Sequence, residues 1–443
     1  MVNNEDIYIR VDPSMQDGTA STKYARLLKA LYGIKNASYL WYLEVKQLLV
    51  DKCGFTCSSV DGALFVKHDD EGHIQMVLAL HVDDTFLLYR NEEDMKMVYD
   101  NMVEKFEDVS LGGTDSFCGF CIEKNEVTNT VTVTQKGYLS TLGDELQIEA
   151  EIAKYKTKHW QLTPWDGQAA TTGLGQKEEK VNKTKYQQLV GLINYAVQLR
   201  SDVQIMASML STRNQDPRLD DWIRAVRVVW YLRNTADLGA TFKPIERING
   251  KINLYATADG SYALRRDGEG VTGVTISLGP NGTPFSTICK KQSTASRSST
   301  EAEVKAWNVA AAHLSYLKKV MRVVLGYEID PIIVETDNMG ANINATAVAI
   351  CKNLRHMDAK IFYCRQMYQQ REVVFCWTHT SGLLADMFTK PLEPKHFFEF
   401  RARLLGEDCS GLEDSLINRN ITFPNNHVQS IYGNIEECCW TTQ

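Results

Sequence analysis

Asp259, Glu303, Asp337 and Asp386 lie dozens of residues apart in the chain, so only tertiary folding can bring them together. Gathered in one pocket, such like charges repel strongly unless they are protonated or neutralised by cations. Hard oxygen ligands of this kind suit Mg²⁺, with Mn²⁺ as a substitute. A pair of such ions ~3.5–4 Å apart activates a water and stabilises the leaving oxygen during phosphodiester hydrolysis. Taken singly, each acid has a plainer role: Glu303 as a favourable charge at a helix start, Asp337 as a turn residue, Asp386 as a surface acid. Glu301 competes with Glu303 for the same assignment. A second acidic pair, Asp83-Asp84, follows an apolar run and precedes another, which places both carboxylates at a hairpin tip.

Local patterns predict the elements that must carry these groups. Residues 252–262, 270–278 and 284–290 alternate as three antiparallel strands, the last two joined by a Gly-Pro-Asn-Gly turn. Ser298 to Glu301 has the form of a capping box and opens a long helix reaching residue 325. A strand over 331–336 then ends at Asp337. A helix from residue 339, another over 357–370, a strand over 373–378 and a last helix from residue 382 follow, putting Asp259 in the first strand, Glu303 in the first turn of the first helix and Asp386 in the last helix. Upstream, residues 27–53 show helical periodicity and 63–67, 75–80 and 85–89 read as strands. Residues ~130–242 look mainly helical, notably 186–199 and 222–232, with a Thr-, Gly- and Lys-rich loop over 160–185.

The chain has 443 residues, 44% of them hydrophobic and 23% charged, an ordinary globular composition long enough for several domains. Its net charge of −7 argues against a nucleic-acid partner at first sight. The excess acidity, however, falls in residues 1–242 and 406–443, whereas 243–405 are net basic, as a phosphate-binding segment requires. Of eleven cysteines, Cys118 and Cys121 form a C-x-x-C within a strand-like run, 117–122. No second pair completes four zinc ligands, so reduced, buried thiols are expected. No segment reaches the ~20 uncharged apolar residues that a membrane span needs, and the polar, acidic start points to a soluble intracellular protein.

Residues 290–303, Lys-Lys-Gln-Ser-Thr-Ala-Ser-Arg-Ser-Ser-Thr-Glu-Ala-Glu, closely resemble the RNase H segment of copia-type retrotransposon Pol polyproteins. Ala256 to Asp259, Glu335 to Asn338, Arg355 to Asp358 and Leu384 to Leu392 are similar to further motifs of that family in the same order. The resemblance implies an RNase H-like βββαβαβα domain with a mixed five-stranded sheet, whose metal-binding acids fall on Asp259, Glu303, Asp337 and Asp386 and which holds two Mg²⁺ ions. It implies an RNA/DNA hybrid as partner rather than a small molecule or a membrane. Glu303 is preferred to Glu301 because it follows Ala302 as the catalytic Glu follows Ala in RNases H. Lys290, Lys291 and Gln292 become nucleic-acid contacts, and His356 either a substrate contact or a residue that orders its loop; His379 stands where a mobile histidine assists product release in some RNases H, although the copia-type pattern often has Pro there.

Leu28 to Ser38, with Trp41-Tyr42 after it, His81 to Asp84, Tyr186 to Gly191 and Asp237 to Gly239 resemble the reverse transcriptase and connection of the same family. The implied organisation is a mixed α/β and α+β multidomain chain: a truncated reverse transcriptase palm (1–110), a mostly helical thumb and connection (111–242), RNase H (243–405) and an unassigned acidic tail (406–443). The palm strand carrying the family's first catalytic Asp would lie upstream, Ser38 replaces the usual Pro, and His81 replaces an aromatic. Asp83 and Asp84 are therefore expected to be a polymerase remnant beside a working ribonuclease. The alternatives are a catalytically silent remnant that at most binds nucleic acid, and an RNA-directed DNA polymerase if the missing strand is supplied. The expected location is the cytoplasm, in a virus-like particle, or the nucleus.

Overall fold

Runs such as Thr130 to Thr134, β-branched at every position, suit a pleated, half-buried surface, and the described part of the chain forms four sheets. The computed structural model describes residues 7–10, 24–28, 31, 33–106, 108–112, 116–158, 160, 162–165, 179–245, 252–262, 269–326, 329, 332–338 and 358–407. His356, the helix expected from residue 339, most of the 160–185 loop and nearly all of the acidic tail lie outside them. The chain divides into two units, one of Met1–Gly113 with Val323–Gly326, the other of Thr114–Arg322 with Tyr327–Gln443. No described helix is long and apolar enough to cross a membrane.

In the first unit, β1 (Tyr8–Arg10) pairs antiparallel with β2 (Tyr24–Arg26), and β3 (Thr56–Cys57), β4 (Leu64–His68), β5 (Ile74–His81) and β6 (Asp84–Tyr89) make an antiparallel sheet in that order. Val45 and Leu49 of helix Ala37–Asp51 pack with Phe65, Met76, Leu78 and Val98. That helix is shorter than the periodicity over 27–53 predicts. Gly33 adopts φ +95°, a conformation L side chains rarely take, and the chain turns there before the helix can start.

The second unit opens with β7 (Ser116–Phe117), β8 (Phe120–Asn125) and β9 (Thr130–Thr134), completed by β10 (Ala240–Phe242) in the order β10-β9-β8-β7. The mainly helical reading of 130–242 therefore misses both ends of that stretch. Cys118 occupies the β7–β8 turn at φ +51° and is half-buried, as is Cys121. Of the seven described cysteines only Cys53 and Cys364 are buried, so the expected burial fails at the other five. Helices Lys183–Ala196, Gln204–Ser211 and Leu219–Asn234 interlock through Tyr186, Leu189, Ile193, Leu210, Val226 and Val229.

Within that helical core Arg200 and Asp202, both fully buried, form a two-pronged ion pair (Nε to Oδ1 2.9 Å, Nη2 to Oδ2 2.8 Å). Arg200 also donates to the Thr235 carbonyl, and the Tyr231 hydroxyl donates to Asp202. Complete pairing lets both charges leave water.

The five-stranded sheet carries the acids. It consists of β11 (Leu254–Gly260), β12 (Val271–Leu278), β13 (Ser286–Lys291), β14 (Ile332–Thr336) and β15 (Val373–Trp377), ordered β13-β12-β11-β14-β15. β12 is antiparallel to both its neighbours, while β11, β14 and β15 run parallel. Every residue of β11 and β14 is buried, as expected of strands covered on both faces. On one face the long helix Ser299–Leu325 buries Val304, Trp307, Ala311 and Leu314 at helical spacing, and the Trp307 ring stacks on Phe375 of β15 at 4.8 Å. On the other, Val271 joins the helical core together with Leu384, Phe388 and Phe397. The expected last helix is instead a 3₁₀ turn Thr380–Gly382, a single turn Asp386–Thr389, and helix Pro394–Leu405 with Pro394 in its first turn.

Replacing Asp202 by Ala leaves the Arg200 guanidinium buried and unpaired. The expected cost is ~3–5 kcal/mol, read as an earlier denaturant midpoint for the second unit. A change within ~0.5 kcal/mol would mean that the pair is not closed off from water.

Candidate metal centre

Parallel pairing sets the site. The register of β11 against β14 runs Tyr255↔Ile333, Ala256↔Val334, Thr257↔Glu335. Continued at the same offset it reaches Asp259 and Asp337, so two acids distant in sequence lie side by side at the carboxyl ends of adjacent strands. Sheet edges of this kind are where parallel α/β folds commonly place ligands.

Glu303 comes from the first turns of the long helix, and a glycine lets it approach. A Cβ at Gly260 would sit 2.2 Å from the Ala302 carbonyl oxygen, so only glycine allows β11 and the helix start to come this close. The Gly260 amide beside the Glu303 carboxylate favours its charged form. Carboxylate oxygens of Asp259, Glu303 and Asp337 lie within 4.8 Å of one another; among the described residues no other place gathers three His, Cys, Asp or Glu side chains in this way.

Asp386 lies outside that set of three and approaches Asp259 from the opposite face. Asp259 pairs with Gly273 across β11 and β12, and a Cβ at Gly273 would meet the Ala385 carbonyl, Thr389 and Phe388 at 3.0 Å or less. That close seat brings the turn Asp386–Thr389 down beside Asp259. The Thr389 hydroxyl donates to Asp259 Oδ2 in a very short hydrogen bond, and the Thr380 hydroxyl donates to Asp337 Oδ2 at 2.7 Å. Two hydroxyls thus orient two of the carboxylates, as outer-shell partners do around metal ligands. The Trp377 indole donates to the Asp337 carbonyl at 3.0 Å, and His379 Nδ1 is engaged with Ser381.

The electrostatics register the crowding. Burial, then the Asp259 and Asp337 charges, push the Glu303 carboxyl well above the usual carboxylate range, although the Gly260 amide opposes them. Burial and Asp259 raise Asp386 to about 7, against the pull of Lys390. Glu303 Oε2 and Asp386 Oδ1 are buried without a hydrogen-bond partner, the condition in which acceptors call for a cation. A set of hard oxygen donors with unmet charge fits a divalent ion such as Mg²⁺.

Glu301 is occupied elsewhere. Its amide donates to the Ser298 hydroxyl oxygen, as a capping box requires, but its carboxylate accepts from the Arg297 amide (3.0 Å) and pairs with Lys305 (3.0 Å), which itself donates to the Thr294 and Ala295 carbonyls. Of the expected nucleic-acid contacts, Lys290 and Lys291 are exposed on edge strand β13, with Lys291 ion-paired to Glu269. Gln292 is buried, and its amide ties Thr272, the Ala302 carbonyl and Ser296 together, which closes it to a duplex and makes it a brace for the helix start. Asp83 and Asp84 sit exposed at the β5–β6 hairpin, where Val82 adopts φ +55° and its carbonyl accepts from the Trp41 indole at 2.6 Å. Three features escape the sequence reading: the Lys390 ammonium on Asp386, and the orienting hydroxyls of Thr380 and Thr389. Chain spacing alone carries no signal for any of them except the i,i+4 step from Asp386 to Lys390.

Both shifted carboxyls bind protons more tightly in the metal-free folded chain than in the unfolded one. Their stabilisation is therefore complete below the ordinary carboxylate range and lost as pH rises through about 7 for Asp386. A divalent cation held by these acids would neutralise the same charges, so the gain in melting temperature from Mg²⁺ over EDTA is expected to grow from near zero at acidic pH to several degrees at mildly alkaline pH. Asp386→Asn should stabilise the metal-free protein at alkaline pH by ~1–2 kcal/mol and shrink that gain. A Mg²⁺ gain that does not change with pH would contradict the shared centre.

Residues 2–157 match the reverse transcriptase (RNA-dependent DNA polymerase) family. The chain is 26% identical over 404 residues to the retrovirus-related Pol polyprotein from transposon RE2 of Arabidopsis thaliana, covering 90% of this chain and 26% of that protein. It is 24% identical over 416 residues to the transposon Ty1-MR1 Gag-Pol polyprotein of Saccharomyces cerevisiae (89% and 22%), and 24% identical over 415 residues to the Pol polyprotein from transposon TNT 1-94 of Nicotiana tabacum (91% and 29%). The chain thus spans about a quarter of the length of these curated relatives. Among solved structures it is similar to LC11-RNase H1 isolated from compost (TM-score 0.25, 15% identity, 31% of this chain and 92% of that one) and to a foamy viral protease-reverse transcriptase in complex with dsDNA (TM-score 0.41, 15% identity, 82% and 62%). Over nine-tenths of its length, the chain is a homologue of the Pol polyproteins of copia-type transposons, and its first part matches the reverse transcriptase family.

Proposed function

We propose that residues 243–405 form a divalent-cation-dependent ribonuclease that hydrolyses the RNA strand of RNA/DNA hybrids. The observation that carries this reading is the convergence of Asp259, Glu303 and Asp337 at the carboxyl ends of β11 and β14, with Asp386 brought alongside by its packing on Gly273. These four residues would hold the cations. When bound, a pair of Mg²⁺ ions supplies activation of water and neutralisation of the charge that develops on the phosphate. The chain's own groups do the rest. Thr389 and Thr380 fix the direction of the Asp259 and Asp337 oxygens, and close packing of the turn Asp386–Thr389 limits water on one side. Lys290 and Lys291, exposed on β13, offer charge to a phosphate backbone.

In the same reading residues 1–110 are a reverse transcriptase palm and 111–242 a thumb and connection. RNA-directed DNA polymerisation is a second reading, favoured by the family match over residues 2–157. It needs a further carboxylate beside Asp83 and Asp84, and among the described residues no such set of three forms there.

Purified chain incubated with Mg²⁺ and a hybrid labelled on its RNA strand should release RNA fragments and leave the DNA strand and duplex DNA intact. Asp337→Asn should lower that rate by more than the roughly 10–100-fold that loss of an outer-shell partner costs. Absence of cleavage by the unaltered chain, or full cleavage by the variant, would remove the proposal and leave a silent remnant. Extension of a DNA primer on an RNA template in the same preparation would establish the second reading.

A further inference from the structure

Three of the four acids converge without help, and the fourth is already engaged. Asp386 stands outside the set formed by Asp259, Glu303 and Asp337. Its Oδ2 is held by the Lys390 ammonium at 2.7 Å, and its Oδ1 is buried with no hydrogen-bond partner. The Lys390 amide closes the turn by donating to the Asp386 carbonyl at 3.1 Å, which fixes the lysine one turn after the acid. We propose that Lys390 is a built-in counter-ion that occupies the second divalent-cation position of this centre, so that the resting chain takes one cation at Asp259, Glu303 and Asp337 and admits another only when Lys390 leaves Asp386. The inference rests on the metal-centre reading given above and adds an order and a gate to it.

Asp386 has Oδ2 on Lys390 and Oδ1 unpartnered, so a divalent ion taken on Oδ1 would stand beside the ammonium on Oδ2, and like charges so placed in a poorly solvated pocket repel strongly. One must displace the other. The lysine side chain is suited to leave: it is 44% exposed, whereas Asp386 is 4% exposed, and its flexible stem can carry the head into water. It is also suited to stay in the metal-free state. Burial works against its charge, yet Asp386, Asp259 and Asp337 together hold the ammonium above its ordinary range. Phosphate oxygens of a bound nucleic acid would give the displaced ammonium a new partner, which couples loading of the second ion to the arrival of substrate.

Mn²⁺ binding to the full chain, counted by electron paramagnetic resonance, tests this without any activity. Ions that persist in the Asp259→Asn/Asp337→Asn variant belong to other acids and are subtracted. The unaltered chain should bind one Mn²⁺ at the centre. Lys390→Met keeps the length of the stem and removes the charge; it should bind two, the second at least about tenfold more tightly than in the unaltered chain, a difference of ~1.4 kcal/mol. Lys390→Gln should behave in the same way, and Lys390→Met/Asp386→Asn should return to one. One Mn²⁺ in both the unaltered chain and the two single Lys390 variants, or two of equal affinity in all of them, would overturn the role of Lys390 and leave the metal centre standing. No Mn²⁺ in any form would overturn both.

Discussion

Acidic groups drawn into a pocket that water barely reaches repel one another, and a large part of the second unit is arranged so that this repulsion is tolerated. Glu303 and Asp386 are pushed toward protonation, Gly260 lends an amide to one carboxylate, two threonine hydroxyls hold others, and Lys390 sits on the fourth. Each device offsets part of a cost that a divalent cation would remove altogether. These contacts stand where a divalent cation would neutralise the cluster, and the raised carboxyls make the stability of the metal-free chain depend on pH.

Backbone geometry makes the crowding possible. A parallel pair of strands puts Asp259 and Asp337 at the same level, which an antiparallel pair would not do for two residues that both end their strands. Two glycines then remove the steric obstacles on either face: Gly260 under the start of the long helix, Gly273 under the turn that bears Asp386. The apolar packing behind them, Trp307 on Phe375 on one side and Phe388 with Phe397 on the other, is what keeps both glycine contacts closed. Chemistry at the sheet edge thus depends on a core built well away from it.

Much of this sheet was legible in the chain. The strands expected over 252–262, 270–278, 284–290, 331–336 and 373–378 agree with the observed five to within two residues at each end. Elsewhere local pattern misled. The alternating Thr-Val run at 130–134 is strand-like by itself, but it stands next to strongly helical stretches whose periodicity dominates a coarse reading. Gly33 ends a helical pattern through its backbone conformation, which composition alone leaves open because glycine is also tolerated inside helices. At the site, the contest between Glu301 and Glu303 is decided by where each carboxylate points, Glu301 toward Lys305 and Arg297, Glu303 toward Asp259. Gln292 sits next to two exposed lysines in sequence yet faces inward, because just past the end of β13 its amide is taken up by Thr272, the Ala302 carbonyl and Ser296. The partners of Asp386 and Asp259 at Lys390 and Thr389 depend on the depth of one helical turn over Gly273, a tertiary quantity that no sequence pattern encodes.

The central claim is that these carboxylates share one cation-binding pocket. Anomalous X-ray scattering from a crystal of the full chain soaked in Mn²⁺ measures it most directly. The account predicts a Mn²⁺ peak with oxygen ligands from Asp259, Glu303 and Asp337 together. A map with no peak there, or with those three side chains directed to separate neighbourhoods, would contradict it.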